Sequence, residues 1–260
     1  MLRWCAYCQE FQGEVPPFED LRYTHGMCLE CEIKGLDLTE TEVQHTNKLR
    51  ALQEQLFEAG KSEDLGAARR IVDGAVEAGV RPVDVLLGLL GPLLYRIGDE
   101  WESGTLSVSD EHRYTSFCET VFEVVKEETR AEIATDAPSE KMSILLLNAH
   151  GNSHTLGIRI LALWLQTKNV KAIAIYPSPS VRDLTELVKE THPKFLMVSV
   201  ALAEQRPGAV KIAESMAALR IKPRPKVIVG GYAVKSGMIS PVPDAILLAD
   251  IALVRSLLTE

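Results

Sequence analysis

The sequence predicts fold class α/β plus all-α: a four-helix bundle followed by a doubly wound parallel sheet, with a small cysteine-rich module in front of both. Three observations support this prediction. Four of the five cysteines lie within the first 31 residues, helical periodicity dominates up to residue 133, and short apolar runs alternate with helical stretches from residue 142 onward. We predict three domains with the ranges 1–36, 37–133 and 141–260.

The composition limits the possible function classes. A net charge of −8 argues against a general nucleic-acid binder, because neutralising phosphates requires a concentration of Lys and Arg. The first residues lack the long apolar segment of a signal peptide. The most apolar run, 83–98, is too short to cross a bilayer and contains Asp84 and Pro92, so we interpret it as a buried helix with a kink at Pro92. We therefore expect a cytoplasmic protein that does not contact membranes.

The first cysteines follow the pattern C-x2-C-x19-C-x2-C and predict a metal site formed by Cys5, Cys8, Cys28 and Cys31. Each pair closes a tight turn, and four thiolates complete a tetrahedron around zinc. Two disulfides or four free thiols are the alternatives, and a chain without a secretion signal favours zinc. The segment HGMCLEC resembles the small cysteine clusters appended to bacterial signalling proteins. Because four cysteines leave no open coordination position, we expect a structural site.

Four consecutive helical stretches predict the bundle, at 38–60, 62–80, 82–101 and 107–133. Ser62 is predicted to cap the second helix, and Ser107 with Asp110 is spaced as a capping box for the fourth. The polar segment 134–141 contains a proline and is predicted to be a linker.

From residue 142 the period changes to that of βαβ units. The predicted strands are 143–148, 170–176, 194–200, 226–231 and 245–248, and the predicted helices lie near 156–167, 180–191, 206–220 and from 250 to the end. Open α/β sheets bind ligands in loops at the carboxyl ends of their strands. The segment GNSHTLG, 151–157, follows the first strand, and its histidine could catalyse, hold a metal or cap the next helix.

Three spaced elements of this half resemble the cobalamin-binding domains of this fold, in which D-x-H-x-x-G is followed by a serine and then by a glycine pair. The matching residues are Asn152, Ser153, His154, Gly157, Ser199, Gly230 and Gly231. The resemblance implies that His154 is the lower axial ligand of cobalt, and that the serine and the glycines line the cleft for the nucleotide tail of the cofactor. Asn152 replaces the usual aspartate, and Ala201 replaces a common leucine. We expect Asn152 to accept the imidazole N–H of His154 as a neutral partner.

The segment WESGTLSVSDEH resembles the W-x9-EH signature of CarH-type light-responsive adenosylcobalamin sensors, with Trp101, Glu111 and His112 at the matching positions. The resemblance implies that Trp101 covers the upper face of the corrin and that Glu111 holds the ribose of an adenosyl group. It also implies that His112 binds cobalt after photolysis of the Co–C bond. Members of that family usually carry a helix-turn-helix where this chain has its cysteines. We therefore expect output through a signalling or transcriptional regulator protein, or through a homo-oligomer, without direct DNA binding.

The leading interpretation is thus a light sensor and signalling regulator with no catalytic residue of its own. Two alternatives stay open. A corrinoid carrier for a methyltransferase shares the layout of bundle and corrin domain but needs the upper cobalt face open. A dual photoreceptor would hold a bilin such as biliverdin above the corrin.

Overall fold

A computed structural model describes residues 1–34, 41–134, 139–251 and 254 of the chain. It divides into two compact units, Met1–Ala131 and Glu132–Glu260. The predicted boundary between residues 36 and 37 lies outside the described residues.

The first unit begins with a three-stranded sheet formed by β1 (Leu2–Cys5), β2 (Phe11–Glu14) and β3 (Tyr23–Gly26), in the order β2-β1-β3. Strand β1 pairs antiparallel with β2 and parallel with β3. Trp4 and Phe11 are buried between this sheet and the helices that follow, with their rings edge to face at 5.2 Å. A short helix, α1 (Leu29–Ile33), follows the sheet.

The helices of the first unit occupy the predicted positions. They are α2 (Thr41–Lys61), α3 (Leu65–Glu77), α4 (Pro82–Val85), α5 (Gly91–Glu102) and α6 (Val108–Ala134). A π-helical turn, Leu86–Leu90, joins α4 to α5 directly before Pro92. Proline has no N–H to donate and its ring crowds the carbonyl four residues earlier, so the wider turn relieves the predicted irregularity.

The two predicted helix caps have different outcomes. The capping box at the start of α6 is confirmed: the Ser107 N–H donates to Asp110 Oδ2 at 3.0 Å, and the Asp110 N–H donates to Ser107 Oγ at 3.2 Å. The cap predicted at Ser62 is wrong. Asp64 caps α3 by accepting the Ala67 N–H at 3.0 Å, because a carboxylate is favoured at the positive end of the helix. The Ser62 hydroxyl donates instead to a carbonyl of the preceding helix.

The cysteine-rich sheet is joined to the helices by a partly buried ionic network. Asp84 on α4 is fully buried, and its Oδ2 accepts the backbone N–H of Phe11 on β2 at 3.3 Å. Arg81 lies 2.7 Å from Asp84 and 2.9 Å from Glu10. Burial raises the pKa of Asp84, and the attraction of Arg81 opposes that shift. The sheet and the helices therefore form one packed unit.

A close contact between Gly88 and Trp4 also holds the sheet against the helices. A Cβ at Gly88 in the π-helical turn would lie 2.2 Å from Cζ2 of Trp4, so no larger residue fits there without moving the indole. The sheet is thus packed directly onto the irregular turn between α4 and α5.

The second unit is the predicted doubly wound α/β domain. Its strands are β4 (Ser139–Asn148), β5 (Val170–Ile175), β6 (Phe195–Ser199), β7 (Lys226–Gly230) and β8 (Ala245–Leu247), all parallel, in the order β5-β4-β6-β7-β8. Its helices are α7 (Leu156–Gln166), α8 (Val181–Thr191), α9 (Arg206–Ala217) and α10 (Tyr232–Lys235). The apolar runs form these strands because helices cover both faces of the sheet. The predicted fold class is confirmed.

Two sequence predictions at the ends of this unit are changed. The linker predicted over 134–141 is wrong at its last residues, because β4 begins at Ser139 and pairs there with Val170. Residues 135–138 lie outside the described part. The helix predicted from residue 250 also falls largely outside it, with Ile251 and Val254 as its described helical residues.

No single helix among the described residues is long and apolar enough to cross a membrane. One pair, Leu65–Glu77 with Pro82–Glu102, meets the requirement by length and composition alone, and it is bent by 119°.

Candidate functional site

The candidate site lies at the point where the strand order of the second unit reverses. Strand β4 lies between β5 and β6, so the connections leaving β4 and β6 run to opposite sides, and a crevice opens at the carboxyl ends of these two strands. Asn148 and Ser199 are register partners at those ends. The loop that carries His154 follows β4 directly.

Asn152 shapes this loop through backbone contacts. Its Oδ1 accepts the backbone N–H of His154 at 3.0 Å, and its Nδ2 donates to the carbonyl oxygen of Ser199 at 3.2 Å. In the structure this Oδ1 bonds to the backbone of His154, and the contact with its imidazole stays a prediction. The side chain of Asn is short enough to accept a hydrogen bond from the backbone N–H two residues ahead, which favours the contact seen here. The His154 side chain is left exposed.

Asn148 is a site residue that the sequence analysis missed. Its side chain is 2% exposed, and Nδ2 donates to the carbonyl oxygens of Asn152 at 3.1 Å and of His154 at 3.2 Å. Its Oδ1 is buried and has no hydrogen-bond partner within the described part of the chain. A polar residue at the end of an otherwise apolar strand is the signal that could have identified it.

Gln205, which precedes α9, holds the other side of the loop. Its Oε1 accepts the backbone N–H groups of Ala201 at 2.8 Å and Leu202 at 3.1 Å, and its Nε2 lies 3.4 Å from the carbonyl oxygen of Gly151. The residue is 7% exposed. The β4–α7 loop is therefore fixed from two directions while its histidine faces outward.

The glycines of the motif have different structural roles. Gly231 has φ of 104°, and a Cβ there would lie 2.5 Å from the carbonyl oxygen of Val200, so the backbone itself requires glycine. A Cβ at Gly230 would lie 3.2 Å from the carbonyl oxygen of Leu248. Gly157, in the first turn of α7, is different: a Cβ there would meet no described atom within 4 Å. Gly157 thus leaves open surface beside His154, as the exposed Ser153 also does.

The residues of the W-x9-EH segment lie in the first unit, at the end of α5 and the start of α6. Trp101 is 50% exposed. Nδ1 of His112 lies 2.7 Å from Oε2 of Glu111, and Oε1 of Glu111 accepts the hydroxyl of Thr115 at 2.8 Å. Both carboxylate oxygens therefore have partners on α6, and the histidine is held beside them.

The four N-terminal cysteines come together as predicted. Their sulfur atoms all lie within 4.8 Å of one another, and no disulfide joins them. The Sγ atoms of Cys8 and Cys28 are 3.6 Å apart, close to the roughly 3.8 Å edge of a tetrahedron with zinc–sulfur bonds of about 2.3 Å. Cys5, Cys28 and Cys31 are buried. The group can hold a metal ion.

The electrostatics of Cys5 suit a thiolate ligand. Burial raises the pKa of this thiol, but backbone N–H groups of Cys8, Cys28 and Tyr7 donate to its sulfur and lower the pKa overall to about 7. The Cys28 N–H lies 3.4 Å from that sulfur.

Comparison with known proteins identifies the family. Models described as B12 binding domain match residues 52–126 and 142–237, which together make up about two thirds of the chain. The chain belongs to the B12-binding-domain proteins. The matched residues of this B12-binding protein include α6 up to residue 126 in the first unit and the His154 loop in the second.

Curated relatives of this B12-binding protein include two kinds of protein. It is 22% identical to trimethylamine corrinoid protein 1 of Methanosarcina acetivorans over 63% of this chain and 75% of that relative. It is 25% identical to the HTH-type transcriptional repressor CarH of Myxococcus xanthus over 66% of this chain and 54% of that relative. Among solved structures, the monomethylamine corrinoid protein of Methanosarcina barkeri has a TM-score of 0.66 at 15% identity, covering 81% of this chain and 97% of that one. This structural similarity shows the fold of the chain.

The residues of the second unit fit a cobalamin. An exposed imidazole at the switch point offers cobalt a nitrogen ligand, and the open surface at Gly157 admits a large ring. The buried and unpaired Oδ1 of Asn148 gives the site a hydrogen-bond acceptor that the described protein residues do not use. These observations agree with the family, and the protein binds cobalamin.

Proposed function

We propose that this protein is a corrinoid carrier, which holds a cobalamin for a partner methyltransferase and has no turnover of its own. The likeness to trimethylamine corrinoid protein 1 carries the proposal, because it extends over 63% of this chain and 75% of a relative named for its corrinoid. When bound, the cobalt of the corrinoid supplies a centre that takes up and releases a methyl group.

The chain's own residues then have distinct roles. His154 would hold cobalt from below, and Asn152 fixes the backbone that presents this imidazole. Ser153 and Gly157 border the open surface beside it. The residues at the ends of β6 and β7, which are Ser199, Gly230 and Gly231, would line the cleft for the nucleotide tail.

One observation favours a second candidate, a light-responsive regulator that keeps an adenosyl group. Leaving half of an indole in water forgoes about 1 kcal/mol of hydrophobic stabilisation, so the exposed Trp101 suits a ligand surface. The paired carboxylate and imidazole of Glu111 and His112 lie on the helix that follows. Here Trp101 and Glu111 would enclose the adenosyl group of adenosylcobalamin, and His112 would bind cobalt after photolysis. A bilin such as biliverdin in that space is the remaining variant.

Reconstitution with methylcobalamin and with adenosylcobalamin, in darkness and under green light, tests the two candidates. The carrier predicts equal affinity for both cofactors, an unchanged elution volume after illumination, and no effect of Trp101→Ala on affinity. The regulator predicts preference for adenosylcobalamin, weakened by Trp101→Ala, and an illuminated bis-imidazole spectrum that His112→Ala abolishes. A new absorption band at long wavelength with biliverdin would replace both candidates by the dual photoreceptor.

We also propose that the four-cysteine site holds a structural zinc ion and that output passes through a protein partner. A closed set of four thiolates leaves zinc no position for a substrate. For the carrier the partner is a methyltransferase, and for the regulator it is a signalling or transcriptional regulator or a second copy of this chain. Elemental analysis for zinc, and size-exclusion chromatography with light scattering for assembly, check these two points.

A further inference from the structure

The backbone of His154 is fixed on both sides of its Cα atom. Its N–H donates to Asn152 Oδ1 at 3.0 Å, and its carbonyl oxygen accepts from Asn148 Nδ2 at 3.2 Å. The same Nδ2 also holds the carbonyl oxygen of Asn152 at 3.1 Å. One buried side chain therefore fastens two carbonyls of the loop at once.

The orientation of the Asn148 amide follows from its surroundings. Nδ2 carries two hydrogens and faces two carbonyl oxygens, so each hydrogen has one acceptor. The opposite orientation would place Oδ1 about 3 Å from the same two oxygens with no hydrogen between them, which is repulsive.

The imidazole of His154 is exposed, so side-chain packing contributes little to its direction. The direction of the Cα–Cβ bond, which the two backbone hydrogen bonds set, matters correspondingly more. The donor atom of a metal ligand must be positioned within a small error in distance and angle from the metal. We propose that Asn148 is the positioning residue that sets where His154 is presented to cobalt. This inference rests on the proposed role of His154 as the lower ligand.

The variant Asn148→Ala removes both donors, and Ser178→Ala is the matched control. The control removes a hydrogen bond to the Asn148 carbonyl and leaves the two contacts of its side chain in place. In the protein without cofactor, we expect amide hydrogen exchange of residues 149–157 to be faster in Asn148→Ala and unchanged in Ser178→Ala. In the cob(II)alamin complex of protein produced with ¹⁵N-histidine, the ratio of the doublet from the histidine nitrogen to the signals of cobalt without that ligand, read from the electron paramagnetic resonance spectrum, should fall about tenfold in Asn148→Ala alone.

A second variant, Asn148→Ser, keeps a polar group in place and serves if the alanine variant does not fold. Its ratio should lie between those of the parent and of His154→Ala. If the parent protein shows no axial histidine nitrogen, the role of His154 fails and the inference fails with it. If the parent shows that nitrogen, while the folded Asn148 variants match the parent in both exchange and splitting, the inference alone is overturned.

Discussion

Two histidines of this protein are held in opposite ways. At His154, the neighbouring amides of Asn148 and Asn152 bond to the backbone, and the imidazole is exposed. At His112, the neighbouring carboxylate of Glu111 lies 2.7 Å from the imidazole itself. A ligand fixed through its backbone is ready to bind before the cofactor arrives, whereas the imidazole of His112 is held through Nδ1, which leaves Nε2 as its nitrogen for a metal. Under the proposed function, His154 is the permanent ligand of cobalt, and His112 is a ligand only in the regulator candidate.

The largest expected effect is that of His154→Ala, which removes the ready ligand. Cobalamin affinity should fall by at least about tenfold, and any cofactor that remains should show the blue-shifted spectrum of an unligated lower face. His150→Ala is the control, because His150 is an exposed histidine of the same loop outside the motif. Titrations followed by absorbance measure cobalamin affinity and the spectrum together. If both variants match the parent in these two properties, His154 is not the ligand.

Cys28→Ser should act on the first unit, to which His112 belongs, and leave the loop of His154 in the second unit as it is. Loss of one thiolate should release the proposed zinc ion, and the sheet packs directly on the π-helical turn through Trp4 and Gly88. We therefore expect loss of about one zinc per chain and destabilisation of the first unit by several kcal/mol. Elemental analysis and hydrogen exchange along the chain measure both effects. Cys118→Ala, at a buried cysteine outside the cluster, should keep its zinc.

Gly231→Ala is the converse change, directed at the second unit. The new Cβ would lie 2.5 Å from the carbonyl oxygen of Val200 at a φ of 104°, so we expect a loss of about 3 kcal/mol in the free energy of unfolding. Gly237→Ala separates strain from collision, since its φ is 69° and no described atom lies within 4 Å of the added Cβ. That variant should lose about 1 kcal/mol. Equal losses in urea titrations would show that the collision does not matter.

The smallest expected effect is that of Glu111→Gln, which weakens the pair at His112. A carboxylate–imidazole hydrogen bond at an exposed helix start contributes little to stability, so the melting temperature should stay within about 1 °C of the parent. Under the regulator proposal, the glutamine no longer raises the basicity of the imidazole through Nδ1, so His112 should bind cobalt more weakly and more slowly after a light flash. Unchanged kinetics in flash photolysis of the adenosylcobalamin complex would remove His112 from that role.

Much of the fold follows from local pattern. The apolar runs at β4 to β7 and the alternating helices could be placed from sequence, because burial on both faces of a parallel sheet leaves a direct signature. The capping box at Ser107 and Asp110 was predictable because both partners lie within one helical turn.

The contacts that could not be predicted join distant residues. Asp84 accepts the N–H of Phe11, which is 73 residues away in the sequence, and the periodicity of neither segment predicts that bond. At the site, His154 was recognisable from its motif, but the role of Asn148 depends on where two carbonyls of a folded loop point. Asn152 was identified from the same motif, but its hydrogen bond to the backbone N–H of His154 was not predicted, because the sequence does not show where that N–H points.

The central claim, that His154 is the permanent ligand of cobalt, is tested most directly by isotope labelling. The protein is produced with ¹⁵N-histidine, loaded with unlabelled cobalamin in the cob(II)alamin state, and examined by electron paramagnetic resonance, with His112→Ala and His154→Ala alongside. We predict that the splitting from the axial nitrogen is a doublet in the parent and in His112→Ala, and that the doublet is lost in His154→Ala. A triplet in the labelled parent would show that the cofactor's own base remains on cobalt, and would contradict the account.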